Sequence, residues 1–236
     1  MKVKVSLAAA VVVLCSVNAL AQFEHPDLTS HKKQVHSLLF MPAQVKLTKV
    51  GMKGAEPMIE ESAQTEVALS AVVMKVLREL GYKVNQGALT PEDLQKDQDL
   101  RYTVDDLQKR FDNELQRMSK KAKDVRKGRF TLGDEVTKLQ AGEGVDALLF
   151  VRAEGQIETG SRKAFGALVA GGVYDMAFMH FGVVDAKTGD VLYFARPIAL
   201  RNIAKDSEKT EGVVRKSFKN FAKASPAEAG VATTQQ

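Results

Sequence analysis

The sequence has few of the residues that form disulfides, reactive thiols or aromatic platforms. It contains one cysteine and no tryptophan, and aromatic residues make up 6% of the chain. Because the one cysteine, Cys15, lies close to the N-terminus, the rest of the chain can hold no disulfide framework, thiolate metal site or cysteine nucleophile. The shortage of aromatic side chains also argues against a carbohydrate-binding surface.

The familiar motifs of nucleotide-binding proteins and hydrolases are missing as well. The sequence has no Walker, dinucleotide or Gly-x-Ser-x-Gly fingerprint. The Lys-Thr-Gly of residues 187–189 matches one part of the serine β-lactamase signature, but the Ser-Asp-Asn part is absent. The Ser-x-x-Lys part is matched only in letters, by residues 30–33, which lie in a polar stretch without a predicted buried helix. The sequence therefore predicts no enzyme, with no catalytic residue and no cofactor.

Residues 185–190, DAKTGD, are predicted instead to form the tip of a β-hairpin that faces water. Apolar residues with high β-propensity flank them on both sides, and Asp185 and Gly189 can supply a side-chain cap and a positive φ. Asp185 and Asp190 also suggest a cation site, but they lack the series of oxygen ligands that a calcium loop provides. No metal site is predicted there.

The four histidines are the remaining candidate ligands or bases. His25, His31 and His36 follow no helical or strand spacing, and no cysteine or organised carboxylate completes a ligand set around them. We expect them to be solvated, with a zinc or copper site as the alternative. His180 lies in a predicted strand, where a core or sheet-face histidine with satisfied contacts is expected.

The N-terminus has the pattern of a secretory signal peptide over residues 1–21. Two lysines precede an apolar stretch, Val5 to Leu14, and Ala19-Leu20-Ala21 provides a small-x-small cleavage site. We therefore expect a periplasmic protein, exported in the Gram-negative manner, that begins near Gln22. An outer-membrane lipoprotein anchored through Cys15 is the alternative, although Leu14 is larger than the residue that such signals require. Removing the two lysines lowers the net charge from +5 to +3, which does not indicate a nucleic-acid partner.

The remainder is divided into a polar lead-in at 22–36, one α/β domain at 37–224 and a disordered tail at 225–236. Within the domain, residues 60–81 carry a helical apolar stripe that Gly81 can close. Residues 90–129 are predicted to be a helical insertion in which Thr90 caps a first helix and Thr103 caps a longer one. The end of the insertion is basic and forms either a solvated helix face or a contact with an anionic lipid or partner. The residues are Lys120, Lys121, Lys123, Arg126 and Lys127.

Residues 161–173, SRKAFGALVAGGV, form an unusual apolar segment rich in glycine and alanine. It is too short for a membrane-spanning helix and too poor in β-branched residues for a good strand. Three interpretations remain: a buried connection or short helix packed in the domain, an exposed patch for self-association or a partner, and membrane contact. The candidate interaction residues are Phe165, Leu168 and Val169.

The order of elements carries a resemblance. A strand with a proline (LLFMPAQVKL) precedes the glutamate-led helix, and GVDALLFVRAEG and FGVVDAKTGDVLYF precede a last helix. This pattern resembles the exported α/β domain of uncharacterised bacterial envelope proteins and curli-assembly-type lipoproteins. It is similar in outline to the amino-terminal domain of the Tol-system propeller protein and to the outer-membrane lipoprotein activators of penicillin-binding proteins. The resemblance implies a fold and an envelope setting, without catalytic residues.

The expected fold class is α/β (α+β), a single-domain sandwich with a mixed sheet of about four to six strands. The first and last helices should pack on the sheet, the early strand-helix-strand unit should be parallel, the later strands antiparallel, and the insertion should lie at the edge. The expected function is that of a non-catalytic periplasmic cell-envelope protein that binds another protein in outer-membrane assembly or transport. The alternatives are an oligomeric, membrane-associated channel or secretion component and a hydrolase without a local motif.

Overall fold

The computed structural model describes residues 21–87, 89–139, 144–169 and 174–226. Cys15 and nearly all of the predicted signal peptide lie outside this range, as do residues 170–173 and the part of the predicted tail from residue 227 onward. None of the described helices combines the length and the apolar character needed to cross a membrane.

Within the described residues, nine strands form one mixed sheet. The long strand β6 is central: its first part pairs with β2 and its second part with β3, both in parallel, and its other edge pairs with β7 in antiparallel fashion. The strands are β1 (Ala21–Glu24), β2 (Ser37–Phe40), β3 (Gln44–Gly51), β4 (Gly54–Pro57), β5 (Lys83–Asn85), β6 (Ala147–Glu158), β7 (Met176–Asp185), β8 (Val191–Arg196) and β9 (Ile198–Ala199).

The predicted fold class is confirmed, although the sheet has more strands than expected. The early strand-helix-strand unit is parallel, since β2 pairs with β5, and the later strands β6, β7 and β8 are antiparallel. The extra strands are β1 in the lead-in, β4 after the hairpin turn and the two-residue strand β9, all of which are too short or too polar to be recognised from periodicity.

Helices cover both faces of the sheet. On one face, α2 and α6 enclose a core with Val73, Val76 and Val214. On the other face, α4 packs Leu107 and Phe111 onto the strands. The α-helices are α1 (Pro26–Thr29), α2 (Ile59–Glu79), α3 (Pro91–Lys96), α4 (Gln98–Lys121), α5 (Gly160–Val169), α6 (Ser207–Ser217) and α7 (Lys219–Ala224), with 3₁₀ turns at Ala122–Lys127 and Asp134–Lys138.

The predicted position of the insertion at the edge of the sheet is therefore wrong. Helix α4 lies across the face, and the ring of Phe111 stacks on Phe150 of β6 with a centroid distance of 4.5 Å. The physical reason is in β6 itself, whose residues 147–151 are all apolar and buried. A strand that is apolar on both sides requires a cover on both faces, and the amphipathic helix α4 provides the second one.

Some helix boundaries also differ from prediction. Thr90 does cap α3, because its hydroxyl accepts a hydrogen bond from the backbone N–H of Asp93. Thr103, however, lies within α4. This helix begins five residues earlier and is capped by the side chain of Asp97. The turn of Gly81 after α2 has the expected positive φ of 93°.

The lead-in and the start of the tail belong to the folded domain. Strand β1 pairs with β8, and the Gln22 side chain donates a hydrogen bond to the carbonyl of Lys216. At the other end, Ser225 is fully buried, where its hydroxyl accepts from the backbone N–H of Val35 and its carbonyl accepts from Tyr82. The prediction of disorder from residue 225 onward is wrong at its first residue, because these contacts to Val35 and Tyr82 could not be inferred from local composition.

Gly182 of β7 gives a direct test of how closely α4 approaches the sheet. A Cβ atom at this position would collide with the ring of Phe111, which is fully buried and stacked on Phe150. We expect Gly182→Ala to lower the free energy of unfolding by about 1–3 kcal/mol, as measured by urea denaturation.

The matched control is Gly212, an exposed residue in the middle of α6 where a Cβ atom would meet no other atom within 4 Å. Gly212→Ala should stabilise the protein by up to about 1 kcal/mol through helix propensity. If both substitutions stabilise, α4 does not pack on Gly182 as described.

Candidate interaction surface

The helical cover on the α4 side of the sheet ends part of the way along β6. Residues 147–151 are continuously apolar, but from Arg152 onward the exposed residues Glu154 and Gln156 alternate with buried ones. This change of pattern is typical of a strand that leaves a two-sided core and presents one face to water. We call the uncovered area the open sheet face. It is bordered by Arg152 and His180 and consists of Gln44, Lys46, Thr48, Glu154, Gln156, Met176, Phe178, Arg196 and Ile198.

Strand register places two apolar side chains next to each other on this face. Phe178 lies directly opposite Ile198 on one side and Glu154 on the other, and Glu154 lies opposite Lys46. Phe178 and Ile198 are 38% and 41% exposed, although neighbouring strand residues such as Met179 are fully buried. The face therefore has an exposed apolar pair with charged residues beside it.

A cavity of about 340 Å³ opens at the place where α4 leaves the sheet. Most of its lining residues are of polar type, and they come from α4 and from the neighbouring sheet strands. The residues involved are Gln44, Lys46, Asp112, Leu115, Gln116, Ser119, Arg152, Ala153, Glu154 and His180.

Arg152 lies at the base of this cavity. Its Nε donates to Oδ1 of Asp112 at 2.7 Å, its Nη2 donates to Oε1 of Gln108 at 2.5 Å, and its guanidinium lies 5.4 Å from the ring centre of Phe111. Burial lowers the pKa of Arg152, and the ion pair with Asp112 opposes that effect. These contacts join α4 to β6 and fix the boundary between the covered and the open parts of the sheet.

His180 lies beside Arg152 on the neighbouring strand. Its ring is stacked on that of Phe194 with a centroid distance of 6.0 Å. Burial lowers the pKa of His180 from 6.5 to about 4, and the positive charges of Arg196 and Arg152 contribute to the shift. His180 is therefore a neutral side chain of the sheet face at physiological pH, in agreement with the expectation for a histidine in this strand.

The Lys-Thr-Gly turn has the structure of a hairpin tip. The Asp185 carboxylate accepts hydrogen bonds from the backbone N–H groups of Lys187 and Thr188 and pairs with Lys33 Nζ at 2.7 Å. These interactions hold the pKa of Asp185 below its usual value against the opposing effect of burial. The tip faces water only in part, because Gly189 is buried and its carbonyl accepts a hydrogen bond from Leu132.

The N-terminal histidines differ from one another. His25 is buried, and its Nδ1 accepts a hydrogen bond from the backbone N–H of Asp27, so the expectation that it is solvated is wrong. His31 is exposed. Among the described residues, no group of three or more histidine, cysteine, aspartate or glutamate side chains is placed to hold a metal ion.

The predicted basic surface is exposed but partly neutralised. All five of its residues are exposed, at the end of α4 and in the following 3₁₀ turn. Lys127 pairs with Asp124 at 3.0 Å, and Arg126 lies over the ring of Phe23 and 4.0 Å from Glu24. A role of this surface in binding stays a prediction.

The predicted interaction residues lie on α5, between β6 and β7. Phe165 and Leu168 are 54% and 87% exposed, so α5 is a short helix whose described apolar side chains do not pack in the core. Val169 is the last residue of the helix, and its side chain lies outside the described part of the structure. Helix α5 lies at the same end of the sheet as the open sheet face. Periodicity in the sequence did not reveal that face.

No family model matches the sequence, and no curated protein matches it. Solved structures with a similar outline include a PelC dodecamer from Paraburkholderia phytofirmans, at 10% identity and a TM-score of 0.41, which covers 85% of this chain and 94% of that one. Lipoprotein GNA1162 from Neisseria meningitidis aligns at 14% identity and a TM-score of 0.35, over 80% of this chain and 96% of that one. At these scores the likeness carries no argument about function.

Proposed function

We propose that this chain is a non-catalytic protein of the bacterial cell envelope that binds another protein through the open sheet face, in outer-membrane assembly or transport. The observation that carries the proposal is the exposed pair of Phe178 and Ile198 on a sheet face whose other half is covered by α4. The envelope setting is supported by the signal-peptide pattern of residues 1–21.

The composition of the open sheet face fits a protein partner. Protein interfaces combine a buried apolar centre, in which aromatic residues and arginine are enriched, with a polar rim. Here Phe178 and Ile198 would form the centre, and Lys46, Glu154 and Arg196 would form the rim. The adjoining cavity beside Arg152 and His180 gives room for one protruding side chain of a partner.

The chemistry of the same residues supports a binding role rather than catalysis. A general base works best when its pKa lies near the operating pH. The pKa of His180, about 4, is far below that range, and Arg152 is engaged by Asp112 and Gln108. The Lys-Thr-Gly turn uses its own side chains to hold the hairpin together.

The test is capture of partners from envelope extracts by the tagged, exported protein and its variants. Phe178→Asp and Ile198→Asp place a charge at the proposed centre and should remove the captured protein, with a loss of affinity of at least about tenfold. Val67→Asp is the matched control, because Val67 is an aliphatic residue that is 72% exposed on α2, away from this face.

Two results would refute the proposal. The first is that the wild-type protein and Phe178→Asp capture the same proteins in equal amounts. The second is that Val67→Asp loses the same partner as Phe178→Asp, since this would mean that any added charge, and not the open sheet face, is responsible. Turnover of generic ester, peptide or glycan substrates by the purified protein would contradict the non-catalytic part of the proposal.

A further inference from the structure

The exposed apolar side chains of this protein are concentrated at one end of the sheet. Ten large apolar side chains are exposed among the described residues, and only Val67 and Tyr102 lie clearly elsewhere. Strands β3 and β6 run in parallel and finish together, with Val50 opposite Glu158, and β7 starts at the same end, with Met176 opposite Gln156. The eight side chains at this end are Met52, Ile59, Phe165, Leu168, Tyr174, Phe178, Ile198 and Leu200.

Four of these eight side chains extend beyond the sheet and are here called the apolar tip. They are Met52 in the turn of the β3–β4 hairpin, Phe165 and Leu168 on α5, and Tyr174 just before β7, with exposures of 61%, 54%, 87% and 65%. They are separate from Phe178 and Ile198, which belong to the open sheet face. The tip therefore consists of a hairpin turn and a short helix that project from the same end.

The two parts of the tip are joined at their base. The backbone N–H of Thr159, just before α5, donates to the carbonyl of Val50, just before the hairpin turn. Arg162 of α5 pairs with Glu158 at 2.7 Å, and Lys163 pairs with Asp175 at 2.7 Å. These ion pairs connect the first turn of α5 to the end of β6 and to the residue just before β7.

The tip carries a small excess of positive charge. Residues 159–174 contain no acidic residue, and the two cations of α5 are held by carboxylates at its base. The hairpin carries Lys49 and Lys53 against one carboxylate, Glu56, which lies opposite Lys49 in the strand register, and Lys53 is exposed at the outermost turn next to Met52. An anionic surface complements this arrangement.

We propose that the apolar tip inserts into the headgroup region of an anionic lipid bilayer. Peripheral proteins bind bilayers with elements that place aromatic and aliphatic residues toward the lipid and lysine or arginine beside them. Tyrosine and phenylalanine favour the interface, and cationic side chains extend along apolar surface toward the headgroups. The tip has each of these features on two projections, the hairpin turn and α5, that adjoin at their base.

This inference does not depend on the protein partner of the open sheet face. It does use the expected export of the chain, since a periplasmic protein meets membrane surfaces. Binding through the tip would hold the protein at a bilayer with Phe178 and Ile198 on the adjacent face still accessible.

The test is co-sedimentation of the exported protein with vesicles of phosphatidylethanolamine and phosphatidylglycerol. The wild-type protein should sediment with these vesicles, less with phosphatidylcholine vesicles, and less at high salt because screening weakens the attraction of the cations. Leu168→Asp and Phe165→Asp should each lower the vesicle partition coefficient by at least about tenfold, because a carboxylate in place of an apolar side chain opposes insertion. Any contribution of the N-terminus is common to all of the variants and cancels in the comparison.

Val67→Asp is the matched control and should bind vesicles as the wild-type protein does, because Val67 is 72% exposed but distant from the tip. Phe178→Asp should also bind vesicles as the wild-type protein does. Failure of the membrane proposal and failure of the proposed protein interface are therefore distinguishable. All variants replace exposed side chains, and melting temperatures within about 2 °C of wild type will establish that each is folded.

The proposal is overturned if the wild-type protein does not sediment with anionic vesicles, or if Leu168→Asp sediments equally well. It is also overturned if Leu168→Asp dissociates an oligomer, as measured by sedimentation velocity, while vesicle binding is unchanged, because the tip would then be a contact between copies of this chain.

Discussion

Gly189→Val is expected to lower the free energy of unfolding by about 4 kcal/mol or more, a large part of the stability of a typical domain. Gly189 has a φ of +75°, a conformation that a β-branched residue adopts only under strain. A Cβ atom would also collide with the carbonyl oxygen of Gly133 and lie 2.8 Å from its backbone nitrogen. The collision is with main chain, so no change of rotamer can relieve it. Urea denaturation measures the loss.

Lys187→Ala is the control for this substitution. Lys187 is exposed at the same tip and contributes only its backbone N–H to the bond with Asp185, so its replacement should change stability by no more than about 0.5 kcal/mol. If Gly189→Val and Lys187→Ala are equally stable, the hairpin tip does not pack against Gly133 as described.

Acidification is expected to destabilise the protein through His180. The pKa of His180 is about 4 in the folded protein, mainly because of burial, and about 6.5 in the unfolded chain. Between these values the unfolded chain binds a proton that the folded chain does not, so the free energy of unfolding falls as the pH falls. The His180 contribution is fully present above about pH 7 and decreases by about 3 kcal/mol by pH 4.

His180→Phe separates this contribution from other titrating groups. Phenylalanine can keep the stacking on Phe194 but cannot bind a proton, so the decrease in stability between pH 7 and pH 4 should be smaller by about 3 kcal/mol. His31→Asn is the control, because His31 is exposed and has a φ of 56° that asparagine tolerates. Equal pH profiles for the wild-type protein and His180→Phe would contradict the burial of His180.

Local patterns in the sequence predicted the parts of the fold that depend on neighbouring residues. The apolar stripe of α2, the cap at Thr90 and the hairpin at 185–190 each follow from residues a few positions apart, and the structure confirms them. The placement of α4 on the sheet was missed because periodicity gives the apolar face of a helix and not the surface that it covers. Phe111 meets Gly182 and Phe150, which lie far along the chain.

The candidate surface was predictable only in part. The exposure of Phe165 and Leu168 was among the interpretations of residues 161–173, because a short apolar segment rich in small residues fits neither a good strand nor a membrane span. The open sheet face was missed, although the change from continuous to alternating apolar residues at Arg152 could have revealed it. The pairing of Phe178 with Ile198 depends on the register between β7 and β9, and no local pattern encodes that register.

The most direct test of the open sheet face is photo-crosslinking in living cells. A photo-reactive amino acid is placed at Phe178 in one variant and at Val67 or Tyr102, which are exposed elsewhere, in two others. We expect a specific product with a different protein of the envelope from position 178, and no such product from the control positions. The same products from all three positions, or none from position 178, would contradict a protein-binding role for this face.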